Sequence, residues 1–355
     1  MLARAVVISA VFGLVGLGAV LVFGNPGDLL AIRNLSAWTL FWSVLLLALS
    51  FLCGGLRVQL LARTLGYRVR LPSAVRGHIL GLFSAAVTPS GSGNAPAIAL
   101  MLTRDGLSGP HAWSVALYTG VVDLLFFAWG VPVALLTLKL TGRLQATWLL
   151  AGGVAVSALF IALWYLLVFH LAAAPRLIHR LFRWQPLRRY RGRARRFAGT
   201  LTETLERLSS TTWLQHLYLQ GLAVGLHLSV FAMFLLIAAE LGLNLPALPT
   251  LATLFLVFVL SHVVPTPGGS GFLELTLPLL LLPERPAAVT PVVLVWRLIS
   301  FYSVFLLGPS LGGAALAKRL GPDVGQNLPL NPEPQLDIQP AKAPSLNQTV
   351  KKKRL

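Results

Sequence analysis

The chain of 355 residues is 56% hydrophobic and only 11% charged, with a mean hydropathy of +0.76 and a formal net charge of +18. Soluble domains carry about 25% charged residues, so a soluble enzyme, a disordered chain and a disulfide scaffold are all excluded. What remains is an all-α, polytopic helical membrane protein, because the apolar stretches are long and do not alternate as barrel strands would.

The first apolar stretch covers residues 5–23, behind Arg4. Nineteen helical residues reach about 28 Å, enough to span. No small-x-small cleavage site closes it, so it reads as an uncleaved span. Further full spans are expected at about 37–62, 111–138, 147–171, 213–241 and 287–317, six in all.

Two other apolar regions are broken. Residues 73–104 are interrupted by Thr88-Pro89-Ser90-Gly91-Ser92-Gly93-Asn94, and residues 250–283 by Pro265-Thr266-Pro267-Gly268-Gly269-Ser270-Gly271. The arms of about 15 residues reach about 22 Å, short of the roughly 30 Å hydrocarbon core. They are therefore expected to be two re-entrant broken-helix hairpins. Irregular backbone at that depth must be buried in protein or line a wet cavity.

The two broken regions sit in related halves. Leu65-Gly66 matches Leu241-Gly242, Leu71-Pro72 matches Leu248-Pro249, Thr88-Pro89 matches Thr266-Pro267, and Gly130 matches Gly308. The repeat halves are about 37–138 and 213–317, each reading long helix, short loop, broken hairpin, long helix. Ten arginines between Arg176 and Arg207 make the segment 172–212 a basic cytoplasmic loop. Counting spans outward from it, the first hairpin opens to the cytoplasm near Arg63, Arg68, Arg70 and Arg76, and the second opens to the opposite side. The halves then form an inverted repeat, an architecture of many secondary transporters. Residues 1–320 form the membrane domain. Residues 321–355, rich in Pro, Asn and Gln and ending Lys351-Lys352-Lys353-Arg354, read as a disordered basic cytoplasmic tail. The positive charge thus points to the cytoplasmic face of a cell membrane and to anionic lipid headgroups, not to nucleic acid.

The second break carries the most chemistry. Its glycines permit a tight turn and close approach of another group. Free N–H groups at the start of the following half-helix favour an anion such as a phosphate headgroup. Glu274 falls in the first turn of that half-helix, as a helix cap or, buried at membrane depth, as a proton or cation carrier. Arg297 lies deep in an apolar segment, where a lone arginine costs roughly 2.5 to 3.5 kcal/mol on insertion scales, so Glu274 is its expected partner. Asp123 lies similarly deep in the matching helix. Arg57, toward the end of its helix, is expected to snorkel. His227 and His262 read as hydrogen-bonded packing residues. The candidate substrate-binding set is Thr88, Pro89, Ser90, Gly91, Ser92, Gly93, Asn94, Asp123, Pro265, Pro267, Gly268, Gly269, Ser270, Gly271, Glu274 and Arg297. No metal-ligand spacing, P-loop or nucleophile–base triad is present, so no metal, cofactor or catalytic residue is expected.

The stretch from Pro265 to Gly271 with Phe272-Leu273-Glu274, followed by Trp296-Arg297-Leu298-Ile299-Ser300-Phe301-Tyr302, resembles the flippase-like transmembrane domain of the lysylphosphatidylglycerol synthase family. In the first half the carriers are Thr88-Pro89-Ser90-Gly91-Ser92-Gly93 and Leu102-Thr103-Arg104-Asp105-Gly106-Leu107-Ser108. The resemblance covers about residues 5–318 and implies lipid translocation. It covers the membrane part without a synthase domain and so implies no aminoacyl transfer. Two positions depart from the pattern. The first break has Asn94-Ala95-Pro96 in place of charged residues, and Thr119 stands where the repeat would put an arginine ahead of Asp123. The reading is a non-enzymatic carrier of a phospholipid or lipid-linked substrate between leaflets. The alternatives are an intramembrane headgroup-modifying enzyme using Glu274 with His262, and a non-transporting partner of a separately encoded synthase.

Overall fold

Helix α1, Ala37–Thr64, starts where the Ser36 side chain accepts the Thr39 N–H at 3.2 Å, which satisfies one of the free donors of the first turn. Its 28 residues make a rod of about 42 Å. Trp38, Phe41, Val44, Leu45, Leu49 and Leu52 are exposed along it, whereas Ser43, Ser50, Gly54, Gly55 and Arg57 are buried. A soluble helix would be turned the other way. Here the large apolar side chains face outward because lipid is their solvent. The computed structural model describes residues 29–88, 91–144, 148–169, 191–210, 212–264 and 266–313. The expected span at 5–23, the tail at 321–355 and positions 172–190 and 211 of the basic segment lie outside the described residues.

A broken hairpin follows α1: α2, Leu71–Ala86, and α3, Asn94–Arg104. Next come α4, Gly109–Leu140, and α5, Trp148–Phe169. Pro72 and Pro110 stand in the first turns of α2 and α4, where a missing N–H costs nothing. The second half begins with α7, Trp213–Glu240, which follows α6, Arg191–Ser209. Its own broken hairpin is α8, Ala247–Ser261, a short 3-10 turn at Pro267–Gly269, and α9, Phe272–Leu281. The last span is α10, Pro286–Arg297, a π-helical turn at Leu298–Tyr302, and α11, Ser303–Gly308. Among the described residues four helices are long and apolar enough to cross a membrane: 37–64, 109–140, 213–240 and the composite 286–311. The chain is a polytopic helical membrane protein.

The repeat is visible in the element bounds and in their ends. The opening helices α1 and α7 are both 28 residues long. The arms α2 and α8 have 16 and 15 residues, and α3 and α9 have 11 and 10. Gly66 and Gly242 close α1 and α7 with φ of 85° and 78°, a conformation open to glycine without strain. The residues after them repeat one bond pattern, Tyr67 N–H to Ala62 O and Leu243 N–H to Ala238 O.

The repeats run in opposite directions. Ser36, at the start of α1, donates its N–H to Glu240 at the end of α7, and a Cβ built on Gly225 would lie 3.1 Å from Cys53 Sγ. The two opening helices are therefore antiparallel. The closing helices each receive a hairpin arm from the other half. The Phe255 ring of α8 fills the space over Gly130 of α4, and the Phe83 side chain of α2 fills that over Gly308 of α11. A side chain at either glycine would collide with the ring, so the small residue fixes how closely the arm approaches.

The basic segment 172–212 between two spans contains helix α6. Leu205 and Leu208 are buried, Glu203, Glu206 and Arg207 are exposed, and the Ser114 hydroxyl of α4 meets the Leu201 carbonyl at 3.4 Å. Arginine density had masked a stripe at Leu201, Leu205 and Leu208, the spacing of one helix face.

Candidate functional site

The second hairpin tip is built by three glycines with positive φ, Gly268 at 58°, Gly269 at 66° and Gly271 at 84°. Gly271 ends the turn, and its N–H donates to Glu274 Oε2 at 2.8 Å. The other carboxylate oxygen, Oε1, accepts from Arg297 Nε at 2.8 Å. Glu274 is thus both helix cap and ion-pair partner. The cap and the expected pairing with Arg297 use its two oxygens. Arg297 Nη2 donates to the Gly268 carbonyl and to Ser270 Oγ, both at 3.2 Å, and its guanidinium lies 4.0 Å from the centre of the Phe301 ring. Glu274 and Arg297 are 4% and 5% exposed. The helix widens into its π turn directly after Arg297, a distortion that recurs at functional sites.

The first tip is closed by a different side chain. Thr88 Oγ1 donates to the Ser84 carbonyl at 2.7 Å and accepts the Gly93 N–H at 2.8 Å. The threonine hydroxyl does there what the Glu274 carboxylate does in the second half, without charge. Asn94 starts α3, and its buried Oδ1 has no hydrogen-bond partner. Ser92 is exposed. The candidate residues Pro89, Ser90 and Pro265 lie outside the described residues.

Both tips open on one cavity of about 220 Å³. Gly91 comes from the first tip, Thr266, Gly268 and Gly269 from the second, and Arg297 and Ser300 from the closing helix. α1 adds Ser50 and Phe51, and α7 adds His227 and Phe231. His262 also lines it and is hydrogen-bonded through Nδ1 to the Phe258 carbonyl at 2.9 Å. Of the candidate set, Gly91, Gly268, Gly269 and Arg297 reach the cavity wall. Ser270 and Glu274 stand behind Arg297 and hold it. Thr88, Gly93 and Asn94 shape the first tip without lining the cavity.

Asp123 belongs to a second polar centre. Its Oδ1 lies 2.8 Å from Arg57 Nη1 and 3.7 Å from His227 Nε2, and its side chain is 28% exposed. Arg57 Nη2 donates to the Thr119 carbonyl at 2.7 Å. The expectation that Arg57 snorkels is therefore corrected. It is 3% exposed, because Asp123 and a main-chain carbonyl inside the bundle replace the headgroup region as its partners. Thr119 occupies the repeat position of Arg297, and the guanidinium missing from α4 is supplied by α1. The sequence held the signal. Asp123 needs a cation by the same cost argument that pairs Glu274 with Arg297. His227 was read as packing, and its ring does stack on Phe126 at 4.9 Å and 4°. Its place on the cavity wall follows only from the packing of α7.

A wider groove of about 580 Å³ lies outside the bundle where the first hairpin begins, lined by Gln59, Arg63, Tyr67, Arg68 and Arg70. It contains neither hairpin tip, so the cavity at the tips is the better candidate site. Among the described residues no group of three His, Cys, Asp or Glu side chains is placed to hold a metal ion.

Comparison with known proteins agrees with this architecture. The family model described as the lysylphosphatidylglycerol synthase TM region matches residues 2–308. The chain is also similar to a protein of Archaeoglobus fulgidus described as "UPF0104 membrane protein". The two are 26% identical over 295 residues, which covers 76% of this chain and 85% of that relative.

Proposed function

The chain belongs to the lysylphosphatidylglycerol synthase transmembrane-region family, and on that premise we propose that it carries a phospholipid or lipid-linked substrate between the leaflets of a bilayer. One observation carries the reading: two hairpins from oppositely directed repeats bring their tips, Gly91 and Gly269, to one cavity. A headgroup crossing hydrocarbon needs a polar surface on its way. Tip backbone, Arg297, Ser300 and Ser50 offer such a surface to a phosphate-bearing headgroup. Because each hairpin belongs to a repeat of opposite direction, one tip can face each leaflet through its own opening, as in alternating access.

The cell membrane is the proposed setting, with α6 and the open end of the first hairpin on the cytoplasmic side. What supports this is the arginine bias. Arg63, Arg68, Arg70 and Arg76 cluster at that end, and α6 packs near the start of α4. The arginine-rimmed groove there suits anionic headgroups waiting at the surface. The tips and the pair Glu274–Arg297 are the proposed substrate-contacting and supporting residues, with Asp123 in the adjoining centre.

Proteoliposomes containing fluorescent phosphatidylglycerol test the proposal. Faster exposure of the probe to an external quencher than in protein-free vesicles is the expected result, with mass spectrometry finding the lipid unchanged. A new lipid species would instead establish an intramembrane enzyme. Neither exchange nor a new product, from several lipid classes, would leave a membrane partner of a separate synthase.

A further inference from the structure

The two charged centres of the bundle differ in how well they are satisfied. Arg297 and Glu274 together make four hydrogen bonds, to each other, to Gly268, to Ser270 and from Gly271. In the other centre Arg57 Nε, His78 Nε2 and His227 Nε2 are buried and have no hydrogen-bond partner. All three residues are more than nine-tenths buried. Unpaired buried polar atoms are few in a native protein, and three in one cluster call for a ligand or a change of protonation.

The rings are held in place. His227 is stacked on Phe126, with the edge of Phe258 against it at 5.1 Å, and Nε2 faces Asp123 Oδ1 at 3.7 Å. That separation is too long for a hydrogen bond and close enough for strong attraction once the imidazole is charged. His227 also lines the cavity between the hairpin tips. His227 therefore adjoins a carboxylate through Nε2 and, as a residue, also lines the proposed substrate path.

Resting on the transport reading, we propose that His227 is a proton-binding site whose loading is linked to entry of an anionic headgroup into the cavity. Its Nε2 lone pair takes a proton from water, and the new N–H donates to Asp123. The proton returns to water when the headgroup leaves. Charge balance is the reason for the linkage. Arg57 offsets Asp123, and Arg297 offsets Glu274, so with neutral histidines the centres carry no net charge. A proton on His227 adds one positive charge to the wall, which offsets one phosphate charge beside the tips.

Other titratable or charged groups face this site from each helix packed on α7. They are Arg57 and Cys53 on α1, Asp123 on α4, His262 on α8, and Arg297 with Glu274 behind it. His78 on α2 packs its ring against Gly54 and stands within electrostatic reach of Arg57, Asp123 and His227. His262 is the competing histidine, since it lines the same cavity.

Two experiments test the proposal and fail separately from the transport reading. In the first, protein with isotope-labelled imidazoles is placed in nanodiscs of phosphatidylcholine and titrated from pH 8 to pH 5. A resonance lost in His227→Gln should titrate, and Asp123→Asn should lower its midpoint. Adding phosphatidylglycerol should raise the midpoint by about one pH unit more than that of interfacial His216, the tenfold coupling usual for linked sites. A His227 signal that does not titrate, or one that moves only with His216, overturns the proposal. The second uses fluorescent phosphatidylglycerol exchange, expected to be faster at pH 5.5 than at pH 8. His227→Gln should flatten this dependence. If His262→Gln flattens it and His227→Gln does not, the assignment is wrong. If no lipid is exchanged at any pH, the transport reading fails, and the titration alone decides the proton site.

Discussion

Arg297 Nε and Glu274 Oε1 meet at 2.8 Å with both side chains buried, and the free oxygen of Glu274 caps the half-helix that starts the second hairpin's inner arm. The ion pair therefore fastens a re-entrant tip to the closing span. Either single neutralisation, Glu274→Gln or Arg297→Gln, leaves a buried charge alone and should cost about 3–5 kcal/mol. The double variant should melt closer to wild type in detergent. If transport stays lost in a folded double variant, the pair also acts on the substrate. Double variants less stable than both singles would mean that the two charges do not depend on each other.

The glycines matched between the repeats should be matched in sensitivity. Gly130→Val and Gly308→Val each drive methyl groups into a phenylalanine from the opposite hairpin, and overpacking of this kind costs about 1–3 kcal/mol. Gly130→Ala combined with Phe255→Leu should lose less stability than the single changes add up to. Strict additivity would show that ring and glycine do not touch.

The antiparallel packing of α1 and α7 can be trapped chemically. A Cβ at position 225 lies 3.1 Å from Cys53 Sγ, close to the spacing across a disulfide. Gly225→Cys should form an oxidant-dependent bond with Cys53, seen as a mobility shift after proteolysis between the two helices. Gly221→Cys, one turn earlier on α7 where a Cβ meets open space, should not. Cross-linking at 221 in preference to 225 would contradict this register.

Sidedness can be read at the two ends of α4. Ser108 and Thr141 flank this 32-residue helix, and both are exposed. In a Cys53→Ser background, Thr141→Cys should react with an impermeant maleimide from outside intact cells, and Ser108→Cys only after permeabilisation. The reverse pattern would place the arginine-rich end outside and defeat the positive-inside argument.

By itself the sequence determined everything that depends on the solvent around a segment. Apolar run length gave the four spans found among the described residues, because hydrocarbon satisfies no backbone group and a helix must satisfy its own. Glycine and proline gave the breaks at residues 88–94 and 265–271 and the helix ends at Gly66 and Gly242, because these residues act on their own backbone. The cost of a lone charge in lipid was enough to pair Glu274 with Arg297 within one half of the chain. Tertiary structure alone decided which halves meet. Arg57 reaches from α1 to Asp123 and the Thr119 carbonyl of α4, and no local pattern encodes that path. His227 becomes a cavity residue only because α7 turns that face toward the hairpin tips. The helix at Arg191–Ser209 was hidden for the opposite reason. Its charge dominated the composition, while its three-residue apolar stripe gained meaning only against the face of α4 that buries it.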